Sequence, residues 1–350
     1  MNNNKKQIRV LLTSSRGCIA SGRVELLKNN PNYDFYVIGL DASSDSFKLP
    51  LLDEQIRVPF GQDENYISEL KKVSLEKRAD VIIPASDYEV EIIAKHRQDF
   101  TDLGVGCVCS PYEVTHLAIN KATMLLTSRE HGVAVPEFEI PKNINEFKAA
   151  AARLGYPAKQ LVFKPAFSGG GNRGVWLVRD DFSDDLLRGK GIPYISLEDL
   201  IQQLERLPEF PGVVLMEYLP GDEYSVDGLS DALGNPVYVI PRVRVSPLPG
   251  YSQEGLIEES EEVSAYVAAI ARVFKFTSNF NIQLKRSESG SLRVYEINPR
   301  VSATVVANAG AGVDIFLFGI LQAAGLDYPK NLKYQKTRMI RFWTEFYAHQ

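Results

Sequence analysis

The chain has 350 residues, of which 45% are hydrophobic and 24% charged, and these shares are ordinary for a soluble globular protein. At about 150 residues per domain, this length predicts two to three domains. The formal net charge is −5 and no basic block is present, so we expect neither a nucleic-acid partner nor attachment to a membrane surface. The cysteines Cys18, Cys107 and Cys109 lack metal-ligand spacing, and we expect the last two to be small core residues.

The N-terminal segment gives no sign of a targeting signal. Residues 1–7 are polar and lack the apolar run of a signal peptide. The longest apolar run elsewhere, 315–321, is too short to span a bilayer. We therefore expect a cytoplasmic location and no membrane partner.

The first third of the chain alternates short apolar runs with amphipathic segments. We interpret the runs at 8–13, 35–40, 81–84 and 105–109 as buried strands. Such alternation is typical of a parallel sheet covered by helices on both faces. Two capping-box patterns, from Ser86 to Glu89 and from Ser110 to Glu113, predict two helix starts.

The pattern changes near residue 118. Helices are expected at 121–131, 144–154, 261–275 and 314–324. A strand at 161–165 enters a glycine-rich turn and returns at 174–178, which predicts a hairpin. Strands at 213–218, 224–229 and 237–245 fit an antiparallel meander, and 280–286 pairs with 292–298. Aromatic residues of the tail are expected to cap a core, namely Phe342, Trp343, Phe346 and Tyr347.

The glycine-rich turn is the first candidate site. Its glycines lack a Cβ, so backbone N–H groups can approach an anion closely. Lys164 and Arg173 add positive charge, which favours a phosphate ligand over the alternative of a tight loop. The usual P-loop pattern is absent from the sequence. The first strand is followed by residues 13–17 without a G-x-G-x-x-G pattern, which disfavours a dinucleotide-binding oxidoreductase.

A second candidate site lies on the strands 280–286 and 292–300. Side chains alternate across a strand, so Glu296, Asn298 and Arg300 share one face, and Gln283 can lie beside them on the neighbouring strand. Carboxylate and amide oxygens are ligands that Mg²⁺ prefers, and Mn²⁺ accepts similar ones. The pattern therefore predicts a metal site; the alternative is a solvated strand face with an Arg–Glu pair.

Two further stretches are candidates for ligand contacts. The acidic stretch 215–227 turns sharply, and its backbone groups can contact an adenine edge while Glu223 accepts hydrogen bonds from ribose; an acidic turn without a ligand is the alternative. Arg242 and Arg244 can bind a substrate carboxylate or, equally, pair with Glu254, Glu258 or Glu259. Asp87 follows the strand 81–84, at the edge where α/β sheets commonly bind ligands.

The order of these features resembles the ATP-grasp superfamily, with Lys121, Lys164 and its glycine turn, then Glu217 to Glu223, Gln283, and Glu296 to Arg300. The stretch from Asn298 to Ser302 is the most specific match and is similar to stand-alone ATP-grasp ligases related to the large subunit of carbamoyl-phosphate synthetase. The resemblance covers residues 8–325. It implies an α/β, ATP-grasp fold whose parts are a parallel-sheet pre-ATP-grasp domain (1–118), a small lid subdomain (119–190), an antiparallel-sheet α+β subdomain (191–330) and a tail (331–350).

The resemblance implies an ATP site whose residues hold the phosphates, cover them, or contact adenine and ribose. The phosphate-holding lysines are Lys121 and Lys164. The covering loop comprises Ser168, Gly169, Gly170 and Gly171. The adenine and ribose contacts are Glu217, Tyr218, Leu219 and Glu223. The Mg²⁺ ligands are Gln283, which also contributes to ATP binding, Glu296 and Asn298.

The resemblance also implies a reaction centre. Lys164 and Arg300 are its expected catalytic residues, with Arg300 facing an acyl phosphate. Arg300 and the neighbouring Ser302 are expected to contact the substrate, and the sequence positions described above add Arg242 and Asp87 as candidate substrate contacts. Ala303 and Thr304 replace the more usual Arg-Ser continuation of the family, a departure in the pocket for the acceptor.

The implied activity is that of a carboxylate–amine ligase. A small-molecule carboxylate is activated by ATP as an acyl phosphate, ADP is released, and an amine or similar nucleophile attacks. A homodimer is a family expectation. The alternatives are bicarbonate activation of the biotin-carboxylase or carbamoyl-phosphate-synthetase type and, from another class, a non-catalytic nucleotide-binding regulatory module.

Overall fold

The computed structural model describes residues 5–16, 19–43, 49–167, 174–180, 193–248 and 251–342. Several residues singled out above lie outside these ranges, namely Cys18, Ser168, Gly169, Gly170, Gly171, Arg173, Trp343, Phe346 and Tyr347. The described residues form three sheets that are flanked by helices.

The first sheet is the parallel sheet that the alternating apolar runs predict. Its strands are β1 (Lys6–Leu12), β2 (Tyr33–Asp41), β3 (Glu54–Arg57), β4 (Val81–Ile83) and β5 (Gly106–Cys107). Its helices are α1 (Ala20–Lys28), α2 (Tyr66–Glu76), α3 (Asp87–Lys95), α4 (Arg97–Asp102) and α5 (Tyr112–Ile119). The strand order is β3-β2-β1-β4-β5, so the order reverses between β1 and β4, where ligands bind in sheets of this kind.

The first predicted helix start is confirmed. The Ser86 hydroxyl accepts a hydrogen bond from the backbone N–H of Glu89 at the beginning of α3. The Glu89 carboxylate in turn accepts bonds from the hydroxyls of Thr13, Ser14 and Ser86, at 2.7, 2.8 and 2.7 Å. These bonds fasten the carboxyl end of β1 to the start of α3.

The second predicted capping box is wrong. The helix α5 begins at Tyr112 behind Pro111 and has no side-chain cap. The Ser110 hydroxyl accepts instead from the backbone N–H of Thr277, at 3.0 Å. A contact distant in sequence has replaced the local one, and it attaches the parallel-sheet domain to the C-terminal part of the chain.

The second sheet is antiparallel over most of its width. Its strands are β6 (Phe138–Glu139), β7 (Leu161–Pro165), β8 (Trp176–Val178), β9 (Tyr194–Ile195) and β10 (Val213–Glu217), in the order β6-β10-β7-β8-β9. Its helices are α6 (Lys121–Glu130), α7 (Ile144–Arg153) and α8 (Leu197–Glu205). The predicted hairpin is confirmed, because β7 and β8 pair antiparallel.

The meander predicted to start at residue 213 is wrong for its first strand. β10 pairs with β7 and β6 rather than with the strand that follows it. Four successive residues of β10 are buried, a pattern that suits a central strand with neighbours on both sides. The second sheet therefore draws strands from both sides of residue 190.

The third sheet lies in the C-terminal part of the chain. Its strands are β11 (Glu223–Ser230), β12 (Pro236–Ile240), β13 (Arg242–Leu248), β14 (Tyr251–Ile257), β15 (Asn279–Arg286), β16 (Leu292–Asn298) and β17 (Thr337–Ile340). The order is β16-β15-β11-β13-β14-β17, with β12 paired to β11. The single strand predicted at 237–245 is divided at Pro241, which has no N–H to donate.

Three helices accompany this sheet: α9 (Glu261–Phe274), α10 (Val306–Gly310) and α11 (Ile315–Ala323). One hydrophobic core joins β1 and β2 to α11 and includes Ile8, Val37 and Phe316. The parallel sheet is thereby packed firmly against the C-terminal part of the chain.

Two expectations about apolar residues have opposite outcomes. Cys107 and Cys109 are buried, as predicted. Phe342 is 86% exposed, so its predicted role in capping a core is wrong. In the described part of the chain, every helix is too short or too polar to cross a membrane.

The side-chain cap at the start of α7 can be tested by substitution. Asn143 Oδ1 accepts from Glu146 N at 2.9 Å, and Glu146 Oε2 accepts from Lys142 N at 2.9 Å. Asn143→Ala should lower the free energy of unfolding by about 1 kcal/mol, because a helix N–H loses its acceptor. Urea unfolding followed by circular dichroism measures this change. Asn143→Asp should restore the loss, and an unchanged Asn143→Ala midpoint would contradict the assignment.

Candidate functional site

A buried lysine lies at the centre of the candidate site. Lys164, on β7, is 7% exposed, and its Nζ lies 4.2 Å from the centroid of the Tyr295 ring on β16. The pKa of Lys164 is lowered to about 8: burial is the largest cause and the like charge of Lys121 contributes, while the carboxylates of Glu296 and Glu223 oppose the shift. The fold therefore brings two lysines and two carboxylates of four different elements within electrostatic range of one another.

Lys121 is positioned near Lys164 by the start of α6. The Asn120 side chain caps the helix by accepting from the N–H groups of Ala122 and Thr123, at 3.0 and 3.2 Å. The Lys121 N–H donates to the carbonyl of Ala166 at 2.7 Å, just after β7. The first residue of the helix is thereby held against the end of the strand that carries Lys164.

Tyr295 occupies a β-bulge. Gln283 pairs with Glu296 and Leu284 with Val294, so Tyr295 stands between them without a Cα partner on β15. Its hydroxyl lies 2.8 Å from Glu223 Oε1 and 2.9 Å from Gln283 Oε1. Burial and the Glu223 carboxylate raise the pKa of Tyr295 well above its ordinary value, so the hydroxyl keeps its proton and donates. Tyr295 thus connects the lysine to the predicted ribose and metal residues.

The predicted strand face is present on β16 for Glu296 and Asn298, but the strand ends at Asn298, so Arg300 lies two residues beyond it rather than within the predicted strand 292–300. Asn298 Nδ2 donates to Glu296 Oε1 at 3.4 Å, and Arg300 Nη2 donates to Asn298 Oδ1 at 3.3 Å. Asn298 Nδ2 also lies 3.4 Å from the Oδ1 of Asn281, its partner on β15. These bonds set the orientation of the Asn298 amide.

Arg300 pairs with Asp87 rather than with Glu296. Its Nε donates to Asp87 Oδ1 at 2.6 Å, and both side chains are largely buried. The Arg–Glu pair that was the alternative interpretation of this face is therefore not formed among the described residues. Asp87 starts α3 of the parallel-sheet domain, so this ion pair connects that domain to the predicted reaction centre.

The donor set on β15 and β16 fits a hard cation. The described residues contain no group of three His, Cys, Asp or Glu side chains placed to hold a metal. The candidate metal ligands are instead one carboxylate, that of Glu296, and two amide oxygens, those of Gln283 and Asn298. Oxygen donors suit Mg²⁺, but one carboxylate balances half of its charge. Further anionic ligands, such as the phosphates of a nucleotide, are needed to complete such a site.

The predicted hinge begins at Glu217, the last residue of β10. Glu217 Oε1 accepts from Glu137 N at 3.0 Å, so its carboxylate binds the neighbouring backbone. Tyr218 N donates to the carbonyl of Gln160 at 3.2 Å, and Leu219 is buried. Lys285 Nζ lies 5.4 Å from the Tyr218 ring centroid. Burial lowers the pKa of Lys285, and Glu223 opposes that shift.

The two arginines of β13 take partners other than the predicted acids. Arg244 forms an ion pair with Glu223. Arg242 donates from Nη2 to Ser225 Oγ at 2.9 Å and to Thr304 Oγ1. The alternative pairing with Glu254, Glu258 or Glu259 is not formed among the described residues, and Glu254 pairs with Arg338. Ser302 is buried next to Thr304, with their hydroxyl oxygens 3.3 Å apart.

Sequence reasoning missed several residues of the site. Strict alternation along the strand puts Tyr295 on the face opposite Glu296, but the β-bulge at this position lets its hydroxyl reach Glu223 and Gln283. Lys285 and Asn281 lie on the same strand as Gln283, at even spacing from it. That spacing is the one sequence signal that points to them.

Family models match both parts of the chain. One, described as ATP-grasp in the biosynthetic pathway with Ter operon, matches residues 209–345. The other, the PylC-like N-terminal domain, matches residues 10–108. The carbamoyl phosphate synthase large chain of Xylella fastidiosa (strain 9a5c) is 21% identical over 282 residues, which cover 75% of this chain and 24% of that one. The chain thus spans about a quarter of the length of this curated relative.

Solved structures share the fold. N5-carboxyaminoimidazole synthetase from Staphylococcus aureus, complexed with ADP, has a TM-score of 0.69 and 18% identity, covering 98% of this chain and 84% of that one. Biotin carboxylase from Campylobacter jejuni has a TM-score of 0.68 and 17% identity, covering 92% and 72%. The predicted α/β architecture is confirmed by these matches. The chain therefore contains a PylC-like N-terminal domain, matched over residues 10–108, and an ATP-grasp domain, matched over residues 209–345.

Proposed function

We propose that the protein is an ATP-dependent ligase. In this proposal, ATP converts a small-molecule carboxylate to an acyl phosphate, ADP is released, and an amine or similar nucleophile takes the acyl group. The observation that carries the proposal is the position of Lys164, buried over the Tyr295 ring and within electrostatic range of Lys121, Glu296 and Glu223. A buried ammonium beside a second one is unfavourable unless anions join them, and a triphosphate supplies such anions.

The nucleotide would extend from the hinge to the lysines. Adenine would contact the backbone at Glu217, Tyr218 and Leu219. Among the described residues, both bonds to the Glu223 carboxylate, from Arg244 and Tyr295, go to Oε1. Oε2 is therefore the oxygen that would accept from ribose hydroxyls. Lys121 and Lys164 would hold the phosphates.

The same residues explain how two anions can react. The carboxylate oxygen attacks the γ-phosphorus, the bond to the ADP oxygen breaks, and the electron pair leaves with ADP. Lys164 reduces the repulsion between the attacking and transferred groups. Gln283, Glu296 and Asn298 would hold Mg²⁺, which when bound neutralises phosphate charge and polarises the transferred group.

Arg300 would act on the activated carbonyl. Its bonds to Asp87 and Asn298 hold the guanidinium plane in one orientation, and the side chain is 14% exposed. A fixed guanidinium stabilises the oxyanion that develops when an amine attacks the acyl phosphate. In this scheme Asp87 is a positioning residue, because it contacts Arg300 through the ion pair.

A coupled assay of ADP release tests the proposal. Carboxylates are screened in pairs with amines, and bicarbonate forms a separate arm because several similar proteins are carboxylating enzymes by name. Carboxylate-dependent ADP release together with a new amide mass supports the ligase. Release that depends on bicarbonate alone would favour the carboxylating alternative. ATP binding without any acid-dependent release would favour a regulatory module.

Two substitutions test the assigned roles. Lys164→Gln and Glu296→Gln should each lower carboxylate-dependent ADP formation by at least about 100-fold, because each removes a charge that acts on the transferred phosphoryl group. Initial rates at saturating ATP give the measurement, and circular dichroism checks the fold. The exposed matched controls Lys148→Gln and Glu288→Gln should keep normal rates. Normal turnover in either site variant would refute the assignment.

The lowered pKa of Lys164 predicts a pH effect on nucleotide binding. Below a pKa of about 8 the side chain is a cation, and above it the side chain is neutral. The Kd for MgADP should therefore rise as pH increases through about 8, by up to about tenfold per pH unit if binding needs the cation. Titration calorimetry from pH 6.5 to 9.5, a range of about three pH units around that pKa, measures it. Lys164→Arg should flatten the profile, and a flat wild-type profile would contradict the prediction.

A further inference from the structure

Two buried arginines from distant parts of the chain reach the same short turn. Arg242 on β13 is 1% exposed, and Arg23 on α1 is 4% exposed. Arg242 donates to the Thr304 hydroxyl, and Arg23 Nη2 donates to the carbonyl of Ser302 at 2.9 Å. The Ser302 and Thr304 hydroxyls are themselves 3.3 Å apart. We call Arg23 and Arg242 the turn arginines.

The turn arginines have incomplete hydrogen bonding. In the part of the chain that the structure describes, Arg23 Nε and Arg242 Nε and Nη1 are buried without an acceptor. A guanidinium carries five N–H donors, and a buried donor without a partner is costly. Both side chains therefore have donor capacity for a ligand.

The surrounding charge is also incompletely balanced. Asp227 Oδ2 lies 4.0 Å from Arg242 Nη2, and its carboxylate also accepts from Asn281 and Asn308. Burial is the largest cause that lowers the pKa of both turn arginines, and Asp227 opposes both shifts. The like charge of Arg300 also lowers the pKa of Arg23, that of Arg244 lowers the pKa of Arg242, and that of Arg341 lowers both. The pKa falls to about 9 for Arg23 and about 10 for Arg242. A buried positive charge of this kind is stabilised by an anion.

The turn arginines are continuous with the candidate reaction centre. Asn298 contacts Asn281, whose Nδ2 donates to Ser225 Oγ at 3.0 Å, and Ser225 Oγ accepts from Arg242. The charge of Arg300 also acts on Arg23. A substrate that binds both Arg300 and the turn arginines would lie along this chain of side chains. Arg23 belongs to the parallel-sheet domain, so that molecule would lie between the two domains.

We propose that Arg23 and Arg242 form a second anion subsite, and that the substrate carries a carboxylate or phosphate group in addition to the carboxylate that is activated. The substrate class is therefore a dianionic acid, either a dicarboxylate or a phosphorylated acid. This statement about the substrate rests on the proposed ligase function. Binding of an anion at the turn arginines does not, and it can be measured separately.

Anion binding is tested without turnover. Thermal unfolding of the full chain is followed while malonate or inorganic phosphate replaces chloride at constant ionic strength. Wild type should show a saturable rise in Tm, and the more effective anion identifies the subsite as one for carboxylate or phosphate. Arg242→Met and Arg23→Met should each raise the anion concentration at half of the maximal Tm rise, the midpoint, at least about tenfold, because a charge-assisted hydrogen bond to the anion is lost.

Controls separate this subsite from the phosphate-holding lysines. The exposed Arg272→Met on α9 should behave as wild type. Lys164→Gln should keep the rise in Tm caused by the anion while losing affinity for MgADP. If Arg242→Met does not fold, Arg242→Lys is measured in its place and should also raise the midpoint, because lysine lacks the planar fork. Equal midpoints in wild type and the arginine variants, or no effect beyond that of chloride, would overturn the subsite.

The substrate statement has its own readout. In the ADP-release assay, dianionic acids should have a KM at least about tenfold below that of monoanionic acids of equal length, since they gain charge-assisted bonds. Arg242→Met should remove that preference by raising the KM for the dianionic acids alone. Equal KM values in wild type would overturn the dianionic substrate class while the ligase stands. No acid-dependent release at all would remove the ligase function, and the anion titration would still decide the subsite.

Discussion

The arrangement of the site depends on one buried positive charge. Lys164 has left water, lies over an aromatic ring and has a second lysine within electrostatic range. The opposing carboxylates lie on a different sheet, so this charge is balanced only when the second and third sheets face each other. A polyanion placed between them completes the balance, and that is why the geometry favours a nucleotide.

The parallel-sheet domain contributes to the site rather than merely adjoining it. A shared hydrophobic core holds it against α11. At its carboxyl edge, Asp87 binds Arg300, and the Ser110 hydroxyl accepts from the backbone N–H of Thr277. The acid of this domain orients an arginine of the ATP-grasp domain, while its own helix α1 supplies Arg23. Contacts between the domains therefore combine a shared apolar core with polar bonds, among them the ion pair at the expected reaction centre.

The sequence was most informative where a pattern is local. Side-chain alternation placed Glu296, Asn298 and Arg300 on one face, and hydroxyl and carboxylate spacing located the start of α3. Predictions from the sequence failed where the contacting residues are distant from each other in the chain. The bulge at Tyr295 depends on the register between β15 and β16. The pairing of β10 with β7 and β6 buries four successive residues of β10, and these neighbours are distant in sequence. The roles assigned to the site residues, and the domain boundaries, stay predictions.

The pairing of β7 with β10 has a geometric consequence. Lys164 lies opposite Val214, and Glu217 follows three residues later on the same strand. At about 3.3 Å per residue, the backbone hydrogen bonds set roughly 10 Å along the strand between the ammonium-bearing residue and the start of the hinge. A slip of one residue between these strands would turn the lysine to the opposite face. The distance between Lys164 and the hinge is thus fixed by the main-chain hydrogen bonds between β7 and β10. Substitutions of side chains leave that distance nearly unchanged.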